Sequence, residues 1–444
     1  MLFAMSAASP LPDLALLQAV AARQQAGDLI GALALLDQAI AAAPDIARYH
    51  RRAWDLHHQL GQHDAALAAA RRAVVLAPSD AGAHSELAAA HGCLGDMAAM
   101  CAAAKQAIAL DPELASAHFA RAAALLVTGR FDQGWREYEW RLRLPGTAGG
   151  IPPAELPRWD GTPIPGRLLL FADQGRGDII QFARFIPWAA ARCGELALCC
   201  PGEMWPILRQ FPQVHHLVQQ WYEAPDCTCF APLGSLPMLA GITLETIPAP
   251  IPYLRADPAR VAAWRRRLDA LLPAGPRRIG LIWAGNTAHT GDRERSMTLD
   301  RLAPLCARTD IALFSLQRGP AQAQAARHVG RAPLFNLAPE LHGFADTMAV
   351  LEALDLLISV DTGVVHLAGA MGRPAWVLLP YAPDWRWLLG RDDSPWYPTL
   401  RLFRQTTAGD WAGAVARIAA EIGPPPSRCR TKRDGAGTRP APPP

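Results

Sequence analysis

The sequence predicts an N-terminal α-helical solenoid followed by two doubly wound parallel α/β domains that face each other. Glycines, prolines and alanines recur every 34 residues through the first third of the chain, and such a period is typical of stacked helix pairs. From Arg167 onward, short apolar strands alternate with helices, an order that favours parallel sheets. Glycine-containing loops follow strands, at the edge where such sheets bind ligands.

Composition narrows the classes of function. The chain has 444 residues, of which 51% are hydrophobic, so it is long enough for two or three domains with substantial cores. A net charge of +3 is too small to indicate nucleic-acid binding. No stretch reaches the roughly 18 uninterrupted apolar residues of a membrane span, and residues 1–13 lack the basic flank and apolar core of a secretory signal. We therefore expect a cytoplasmic protein that neither binds nucleic acid nor has a transmembrane segment.

The nine cysteines are scattered, and the loose group at Cys199, Cys200, Cys227 and Cys229 has no paired C-x-x-C spacing. This pattern favours small buried hydrophobic positions in a reducing compartment over disulfides or metal ligands. No metal site is therefore expected. Because nearly all basic residues are arginines, a phosphate clamp in this chain has to use arginine.

Residues 11–144 are predicted to form the solenoid. Three sets of residues recur in register, namely Gly27, Gly61, Gly95 and Gly129, then Pro44, Pro78 and Pro112, then Ala39, Ala73 and Ala107. Alanines let paired helices approach closely, glycine permits the tight turn inside each pair, and proline ends the second helix. A two-helix unit of this length is the tetratricopeptide pattern.

The unit that begins at Gly129 differs from the others, because Trp135, Tyr138 and Trp140 are aromatic. We expect this terminal unit to cap the stack and to dock against the rest of the chain. Two roles are open for the solenoid. Its inner face binds a protein or peptide partner, or the repeats only support and space the second half of the chain. Two interpretations are open for the basic side chains of these repeats, which either line a groove or are simply solvated. They are Arg51, Arg52, His57, His58, Arg71 and Arg72.

Two segments outside the predicted domains are rich in proline. Residues 145–166 also contain many glycines and lack periodicity, which indicates a linker. Within it, residues 157–161 (PRWDG) are predicted to form an anchored turn, since an exposed tryptophan in a free linker would be unusual. Residues 424–444 are predicted to be a disordered Pro/Arg-rich tail.

The first α/β domain is predicted over residues 167–275. A strand at 168–171 leads into a loop that contains Gln174, Gly175 and Gly177, and a helix at 179–191 precedes a strand at 195–200. The loop therefore lies at the ligand-binding edge of the sheet. Asp178 either complements the helix dipole or acts as a catalytic group at this edge.

The second α/β domain is predicted over residues 276–423. Its central unit, residues 355–380, is a strand, a turn through Asp361, Thr362 and Gly363, a helix that carries His366, and a second strand. Free backbone N–H groups and the positive helix dipole at this turn make a seat for phosphate. A helix is predicted to open near Ser296. Other polar residues follow neighbouring strands and are expected on the same rim, namely Asn286, Arg295, Ser296 and Gln317.

Several motifs occur together in a recognisable order. They are residues 174–185 (QGRGDIIQFARF), 283–286 (WAGN), 295–296 (RS), 315–317 (SLQ), 359–370 (SVDTGVVHLAGA), 383–389 (PDWRWLL) and 394–398 (SPWYP). In this order they resemble bacterial tetratricopeptide proteins with a C-terminal glycosyltransferase domain of the heptosyltransferase type, glycosyltransferase family 9. The resemblance extends over nearly all of residues 134–422.

This resemblance implies a GT-B fold of two facing Rossmann-like domains. It implies that the C-terminal domain binds a nucleotide-sugar, that the N-terminal domain binds the acceptor, and that no metal or other cofactor is used. The absence of any D-x-D triplet agrees with the last point. By resemblance, Asp178 matches the general base, whereas Asp361 to Gly363 and His366 match the donor-binding turn and helix.

Other donor-binding roles follow from position. Arg295 and Ser296 fall where the family places a basic residue near the donor phosphates, although lysine is common there and an arginine fork binds phosphate differently. Asn286 and Gln317 are candidates for hydrogen bonds to base or ribose. Gln174, Gly175 and Gly177 form the loop on the acceptor side.

We therefore predict an inverting, metal-independent glycosyltransferase of the hexosyl- or heptosyltransferase type. It would transfer sugar from a nucleotide-sugar to a protein or surface-glycan acceptor, and the repeats would recruit the acceptor or a partner. The alternative is a non-catalytic tetratricopeptide adaptor whose degenerate GT-B domain binds a nucleotide or glycan without turning it over.

Overall fold

The computed structural model describes residues 13–145, 152, 155–224, 226–248, 250–272, 275–289 and 291–422. The predicted tail at 424–444 and the first twelve residues lie outside the described residues. No helix in the described part of the chain is both long and apolar enough to span a bilayer.

Consecutive helix pairs form an N-terminal solenoid of tetratricopeptide type. Its described helices are α1 (Asp13–Gln25), α2 (Leu29–Ala42), α3 (Ala47–Gln59), α4 (His63–Leu76), α5 (Ala81–Cys93), α6 (Met97–Leu110), α7 (Ala115–Val127) and α8 (Phe131–Tyr138). The turn inside each pair contains a glycine with φ between 72° and 80°, which is the left-handed region that favours glycine. The turns therefore form for the reason that the repeat pattern indicates.

The first α/β domain is built on a parallel four-stranded sheet. Its strands, β1 (Arg167–Phe171), β2 (Glu195–Cys199), β3 (His216–Val218) and β4 (Cys227–Pro232), lie in the order β3-β2-β1-β4. The helices of this domain are α9 (Arg176–Phe182), α10 (Ile186–Ala190), α11 (Trp205–Leu208) and α12 (Leu236–Leu239). The strand order reverses between β1 and β4, so the loop after β1 lies at a topological switch point.

The second α/β domain contains a parallel six-stranded sheet in the order β10-β9-β8-β5-β6-β7. Its elements are α13 (Pro258–Leu271), β5 (Arg277–Ile282), α14 (Asp292–Arg295), α15 (Ala303–Cys306), β6 (Ile311–Ser315), β7 (Leu334–Asn336), α16 (Phe344–Ala353), β8 (Leu356–Val360), α17 (Gly363–Ala370), β9 (Ala375–Leu379), β10 (Leu400–Arg404) and α18 (Trp411–Glu421). This is the doubly wound order of dinucleotide-binding domains, and its switch point lies between β5 and β8. Together the two domains form the GT-B arrangement.

The predicted boundary after residue 275 is corrected by the packing of α13. This helix packs against α16 of the second sheet. Arg260 binds Asp346 at 2.7 Å, and Arg267 binds Glu340 at 2.8 Å. Because these partners belong to the C-terminal domain, the chain crosses between the domains before Pro258.

The predicted anchored turn at 157–161 is confirmed. Trp159 is buried, and its indole donates a hydrogen bond to the carbonyl oxygen of Thr162 at 2.7 Å. Its backbone N–H donates to the carbonyl oxygen of Phe230 in β4. This part of the predicted linker is therefore fixed to the first sheet.

The last solenoid helix docks on the C-terminal domain through aromatic rings, as the sequence predicts for its terminal unit. Trp135 makes edge-on contacts with Trp385 at 5.2 Å and with Trp396 at 6.3 Å between ring centroids. Phe131 stacks on Trp396 at 6.0 Å, and Tyr138 meets Trp385 at 5.7 Å. All five rings are buried, so α8 belongs to a shared core.

The turns of earlier repeats also lie against the C-terminal domain. A Cβ atom at Gly61 would be 2.9 Å from Cδ of Arg293, and one at Gly95 would be 2.9 Å from Cε1 of Tyr381. The guanidinium of Arg293 donates to the carbonyl oxygen of Leu60 at 2.6 Å. Solenoid and C-terminal domain therefore meet along an edge of successive turns.

The basic residues proposed to line a groove are mostly paired within the solenoid. Arg51 binds Glu86 at 2.7 Å and Asp80 at 3.0 Å. Arg72 binds Asp45 at 2.6 Å. These contacts favour the alternative in which the charges serve the solenoid itself.

Replacing Trp135 with alanine is expected to destabilise the whole chain, because the ring is buried between the solenoid and the C-terminal domain. Removing a buried tryptophan costs about 3–5 kcal/mol. Thermal unfolding would measure the loss. Tyr222→Ala is the matched control, since Tyr222 is 64% exposed and its loss should change stability by less than about 0.5 kcal/mol. Equal effects of the two substitutions would contradict the docking role of the aromatic cluster.

Candidate active site

The loop after β1 and the loop after β8 touch each other across the two domains. A Cβ atom at Gly363 would lie 3.5 Å from the backbone nitrogen of Gly177, and one at Gly177 would lie 3.5 Å from Cα of Gly363. Helix α9 begins at Arg176 rather than at residue 179, so Asp178 lies in its first turn. The amino ends of α9 and α17 thus converge at the carboxyl edges of both sheets, and Asp178 lies beside this junction.

Asp178 is held by an arginine from the opposite domain. The guanidinium of Arg386 donates to Asp178 Oδ1, to Asp384 Oδ1 at 2.8 Å and to Gln181 Oε1 at 2.8 Å. Arg386 is 8% exposed, so these bonds replace water around a buried charge. The ion pair joins the N-terminal domain to the segment after β9.

Burial sets the protonation of the carboxylates in this cleft. It raises the pKa of Asp178 above its ordinary value, while the neighbouring Arg386 opposes that rise. Burial, reinforced by the nearby Asp384 carboxylate, raises the pKa of Asp361 to about 6. Both groups are therefore more basic than ordinary aspartates, a property common at functional sites.

His366 packs behind the turn instead of facing open solvent. It is buried, Nδ1 lies 3.0 Å from the hydroxyl of Tyr397, and Nε2 lies 3.9 Å from Asp361 Oδ1. A Cβ atom at Gly177 would be 2.9 Å from its Cδ2. Burial and the nearby Arg386 lower the pKa of His366 well below its ordinary value, so the ring is neutral and supports the contact between the two loops.

Arg295 ends the short helix α14, and Ser296 follows it in a segment that folds against Gly285. The helix predicted to open near Ser296 begins at Leu299, because α14 ends at Arg295 and Ser296 is extended. The hydroxyl of Ser296 donates to Asp292 Oδ1 at 2.9 Å and accepts from the N–H of Gly285 at 2.8 Å. Ser296 therefore fixes the loop, and Arg295 lies close enough to influence the pKa of Asp361.

Gln317 has no hydrogen-bonding capacity left for a ligand. Its Oε1 accepts from the N–H groups of Trp283 and Ala284 at 2.9 Å, and its Nε2 donates to the carbonyl oxygens of Ala284 and Arg318 at 3.0 and 2.8 Å. The predicted hydrogen bond from Gln317 to base or ribose is corrected to a structural contact between the ends of β5 and β6. Asn286 is exposed in the loop after β5 and accepts from the N–H of Ala288.

The solenoid makes direct contacts with the loop after β1. The hydroxyl of Tyr138 donates to Gln174 Oε1 at 2.6 Å. Arg141, just beyond α8, donates to Asp173 Oδ2 at 2.8 Å and is buried. The loop that carries Gln174, Gly175 and Gly177 is thus fixed from the solenoid side.

Thr362 is the last residue before α17. Its hydroxyl oxygen lies 3.2 Å from that of Ser359, the last but one residue of β8. The first residues of α17 are partly exposed at the junction. The turn can therefore still present backbone N–H groups to an anion.

Sequence reasoning did not assign Arg386 and Asp384 to the site. Both lie in the motif at 383–389, directly after the strand at 375–379, at the edge where the other candidates gather. The combination of an acidic and a basic residue in an aromatic motif directly after a strand could have indicated that both belong to the site. The partner of Arg386, Asp178, is 208 positions away in the chain, so no local pattern reveals the pair.

A comparison with family models finds a match that covers part of this site. Residues 304–383 match glycosyltransferase family 9 (heptosyltransferase). The C-terminal part of the chain carries a glycosyltransferase family 9 domain. The matched segment includes β8, the turn through Asp361 and Gly363, and α17. These are the elements that make the C-terminal side of the junction.

Among curated proteins, the chain is 30% identical over 327 residues to protein FlbA of Caulobacter vibrioides. That alignment covers 68% of this chain and 54% of FlbA, so the chain spans about half the length of this relative. Similar solved structures include the tetratricopeptide protein TTC0263 of Thermus thermophilus, with 20% identity, 31% of this chain and 76% of that chain covered, and a TM-score of 0.28. A structure of MamA from Desulfovibrio magneticus is 23% identical to this chain, with 29% of this chain and 71% of that chain covered and a TM-score of 0.26.

Replacing Asp361 with asparagine is expected to stabilise the glycosyltransferase domain at neutral pH. The raised pKa means that the folded protein keeps this proton up to about pH 6, whereas the unfolded chain releases it near 3.8. The stability of the parent should therefore fall as pH rises from about 4 to 6, by about 1–3 kcal/mol. The variant has no carboxyl group to ionise at this buried position, so its melting temperature should exceed that of the parent by a few degrees at pH 7.

The melting difference should disappear below about pH 4, where Asp361 is protonated in both states. Asp37→Asn, at an exposed helical position, should show no such pH dependence. A variant that is less stable than the parent at pH 7, or a difference that is constant across pH, would contradict the origin assigned to the shift.

Proposed function

We propose that this protein is an inverting, metal-independent glycosyltransferase that moves a sugar from a nucleotide-sugar to an acceptor hydroxyl. The observation that carries the proposal is the junction at which Asp178 of one domain lies beside the amino end of α17 in a glycosyltransferase family 9 segment. Support comes from the raised pKa of Asp178, which suits a base that works near neutral pH. No other cofactor is needed for this reaction.

In the proposed reaction, Asp178 removes the proton from the acceptor hydroxyl while the oxygen attacks the anomeric carbon. A new C–O bond forms on one face of the sugar as the bond to the nucleotide diphosphate breaks on the other. The electron pair of the broken bond stays on the diphosphate oxygen, and the proton stays on Asp178. Attack from the opposite face inverts the anomeric centre.

Negative charge grows on the departing diphosphate during this step. The backbone N–H groups at Thr362 and Gly363 and the positive end of α17 would stabilise it. Arg295 would supply a guanidinium from the neighbouring loop. His366, being neutral, adds no competing charge and keeps the turn in place.

Arg386 has a separate role in this proposal. By pairing with Asp178 it favours the ionised form of a carboxylate that burial would otherwise protonate. Gln181 and Asp384 fix the orientation of its guanidinium. Arg386 is therefore a positioning residue that keeps the base available.

We further propose that the acceptor is a protein or a surface glycan recruited with the help of the solenoid in the cytoplasm. Support comes from the bond between Tyr138 and Gln174, because it connects the last repeat to the acceptor-side loop. A ligand that reorients α8 would therefore also move the loop next to Asp178.

Asp178→Asn is expected to lower the rate of sugar transfer by about 10²- to 10⁴-fold, the usual contribution of a general base. Its affinity for the nucleotide-sugar should stay nearly unchanged. Arg295→Ala should weaken donor binding about tenfold or more, since it removes a charged contact to phosphate. Transfer rates and calorimetric binding to nucleotide-sugars would measure both effects.

Arg301→Ala, at an exposed position shortly after Arg295, is the matched control and should change neither quantity. Equal loss of donor binding in Asp178→Asn and Arg295→Ala would show that the roles are wrongly divided. If a broad panel of nucleotide-sugars yields no transfer and Asp178→Asn behaves as the parent in every assay, the protein is a non-catalytic adaptor.

Arg386→Gln is expected to move the acidic limb of the pH profile of kcat/KM upward. The limb reports ionisation of the base, and removing a neighbouring positive charge raises the pKa of a carboxylate by about 1–3 units. Arg401→Gln, at an exposed position, should leave the limb in place. Because the position of the limb does not depend on the folded fraction, loss of stability cannot imitate this result. An unshifted limb would exclude Arg386 as the group that tunes Asp178.

A further inference from the structure

A cluster of metal-ligating side chains lies at the contact between the solenoid and the C-terminal domain, away from the cleft. His58 is near the end of α3, His63 begins α4, and Cys93 ends α5. One potential ligand atom from each of these three residues lies within 4.8 Å of the other two. They come from adjacent repeats, so the stacking of helices creates the cluster.

A fourth group comes from the other domain. Glu294 on α14 places Oε1 3.5 Å from Nε2 of His63. It is also close enough to interact electrostatically with His58 and Cys93. The set is therefore two imidazoles, one thiol and one carboxylate, the donor types that zinc prefers.

Two of the distances between these groups are close to those around a tetrahedral ion. Bonds of about 2.0–2.3 Å at tetrahedral angles put neighbouring ligand atoms roughly 3.3–3.6 Å apart. The sulfur of Cys93 lies 3.7 Å from Nδ1 of His58, and the distance between His63 and Glu294 is 3.5 Å. Small side-chain movements would close the coordination sphere.

Two atoms of the cluster are buried without a hydrogen-bond partner among the described residues, namely Nδ1 of His63 and Oε2 of Glu294. A buried polar atom of this kind normally has a partner. The side chains are only 17% and 31% exposed. The ring of His58 is held by a stack on Trp54, with centroids 5.5 Å apart and planes 9° apart. A cation held by the carboxylate of Glu294 would give Oε2 a partner, and it would bind one ring nitrogen of His63 only.

We propose that His58, His63, Cys93 and Glu294 bind one divalent transition-metal ion of the zinc class, which joins the solenoid to the C-terminal domain. Cys93 binds as a thiolate, and its proton is released to solvent. This assignment replaces, for Cys93, the expectation that the cysteines are inert hydrophobic residues. It leaves the proposed sugar transfer metal-independent, since the ion supports the interface.

The position of the site gives it a structural consequence. Glu294 lies between Arg293, which donates to Leu60 of the solenoid, and Arg295 of the cleft. An ion held by Glu294 would therefore fix α14 against the repeat turns. The orientation of the solenoid on the C-terminal domain and the position of the Arg295 loop would depend on the same ion.

The test uses the full chain, treated with a chelator and kept reduced with a phosphine. Titration with Co²⁺ is expected to reach one equivalent and to produce a thiolate-to-cobalt charge-transfer absorption that Zn²⁺ removes by displacement. Cys93→Ser should abolish this absorption, and His63→Gln should weaken Co²⁺ binding at least tenfold. Zn²⁺ should raise the melting temperature of the parent and leave that of Cys93→Ser unchanged.

The matched controls are Cys101→Ser, which changes a partly buried cysteine of the next helix, and His57→Gln, which changes the neighbour of His58. Both should bind Co²⁺ as the parent does. A parent without the charge-transfer absorption, or a Cys93→Ser variant that retains it, would overturn the site. Glu294→Gln should weaken binding as well, and unchanged affinity in that variant would overturn the connection between the domains. None of these readouts depends on sugar transfer.

Discussion

A guanidinium buried between two domains needs partners for its N–H donors, and Arg386 finds them on both sides of the cleft. Asp178 and Gln181 come from the N-terminal domain, whereas Asp384 comes from the same segment as Arg386. Removing one partner of such a buried pair costs about 3–5 kcal/mol. The relative position of the two halves is thus tied to the same contact that controls the candidate base.

The solenoid is an integral part of this arrangement. Helix α8 supplies Trp135 to the aromatic core, and its Tyr138 binds the loop after β1. The turn glycines Gly61 and Gly95 have no room for a side chain, because Arg293 and Tyr381 lie against them. Glycine at these positions therefore meets two requirements, a positive φ and close approach of the second domain.

Local patterns in the sequence predicted most of the framework. Buried strands such as β9 are continuous apolar runs between turn residues, and the 34-residue period predicts the solenoid. Strands β3, β4, β7 and β10 were not predicted, because β3 and β7 have three residues each, β4 begins with Cys-Thr-Cys and ends in proline, and β10 contains two arginines. Such short segments gain their conformation from the neighbouring strand more than from their own residues.

The candidate site was predictable where residues follow strand ends and not where contacts are distant in sequence. Asp178 and Asp361 follow strands at the rims of the two sheets, so their proximity could be expected. Gln317 occupies the same kind of position, yet its amide is used entirely by the backbone of the loop after β5. Position in the fold brings a side chain to the rim, but only the full set of hydrogen bonds shows whether it is available to a ligand.

The junction between Gly177 and Gly363 has a consequence for the proposed reaction. A methyl group on Gly363 would just fit against Gly177, whereas one on Gly177 would press against His366, and a sugar ring is much larger. Asp178 is also bonded to Arg386 in this conformation. In the proposed reaction, the two loops would therefore move apart before a sugar could lie between them, and Arg386 would keep Asp178 ionised as long as their pair persists.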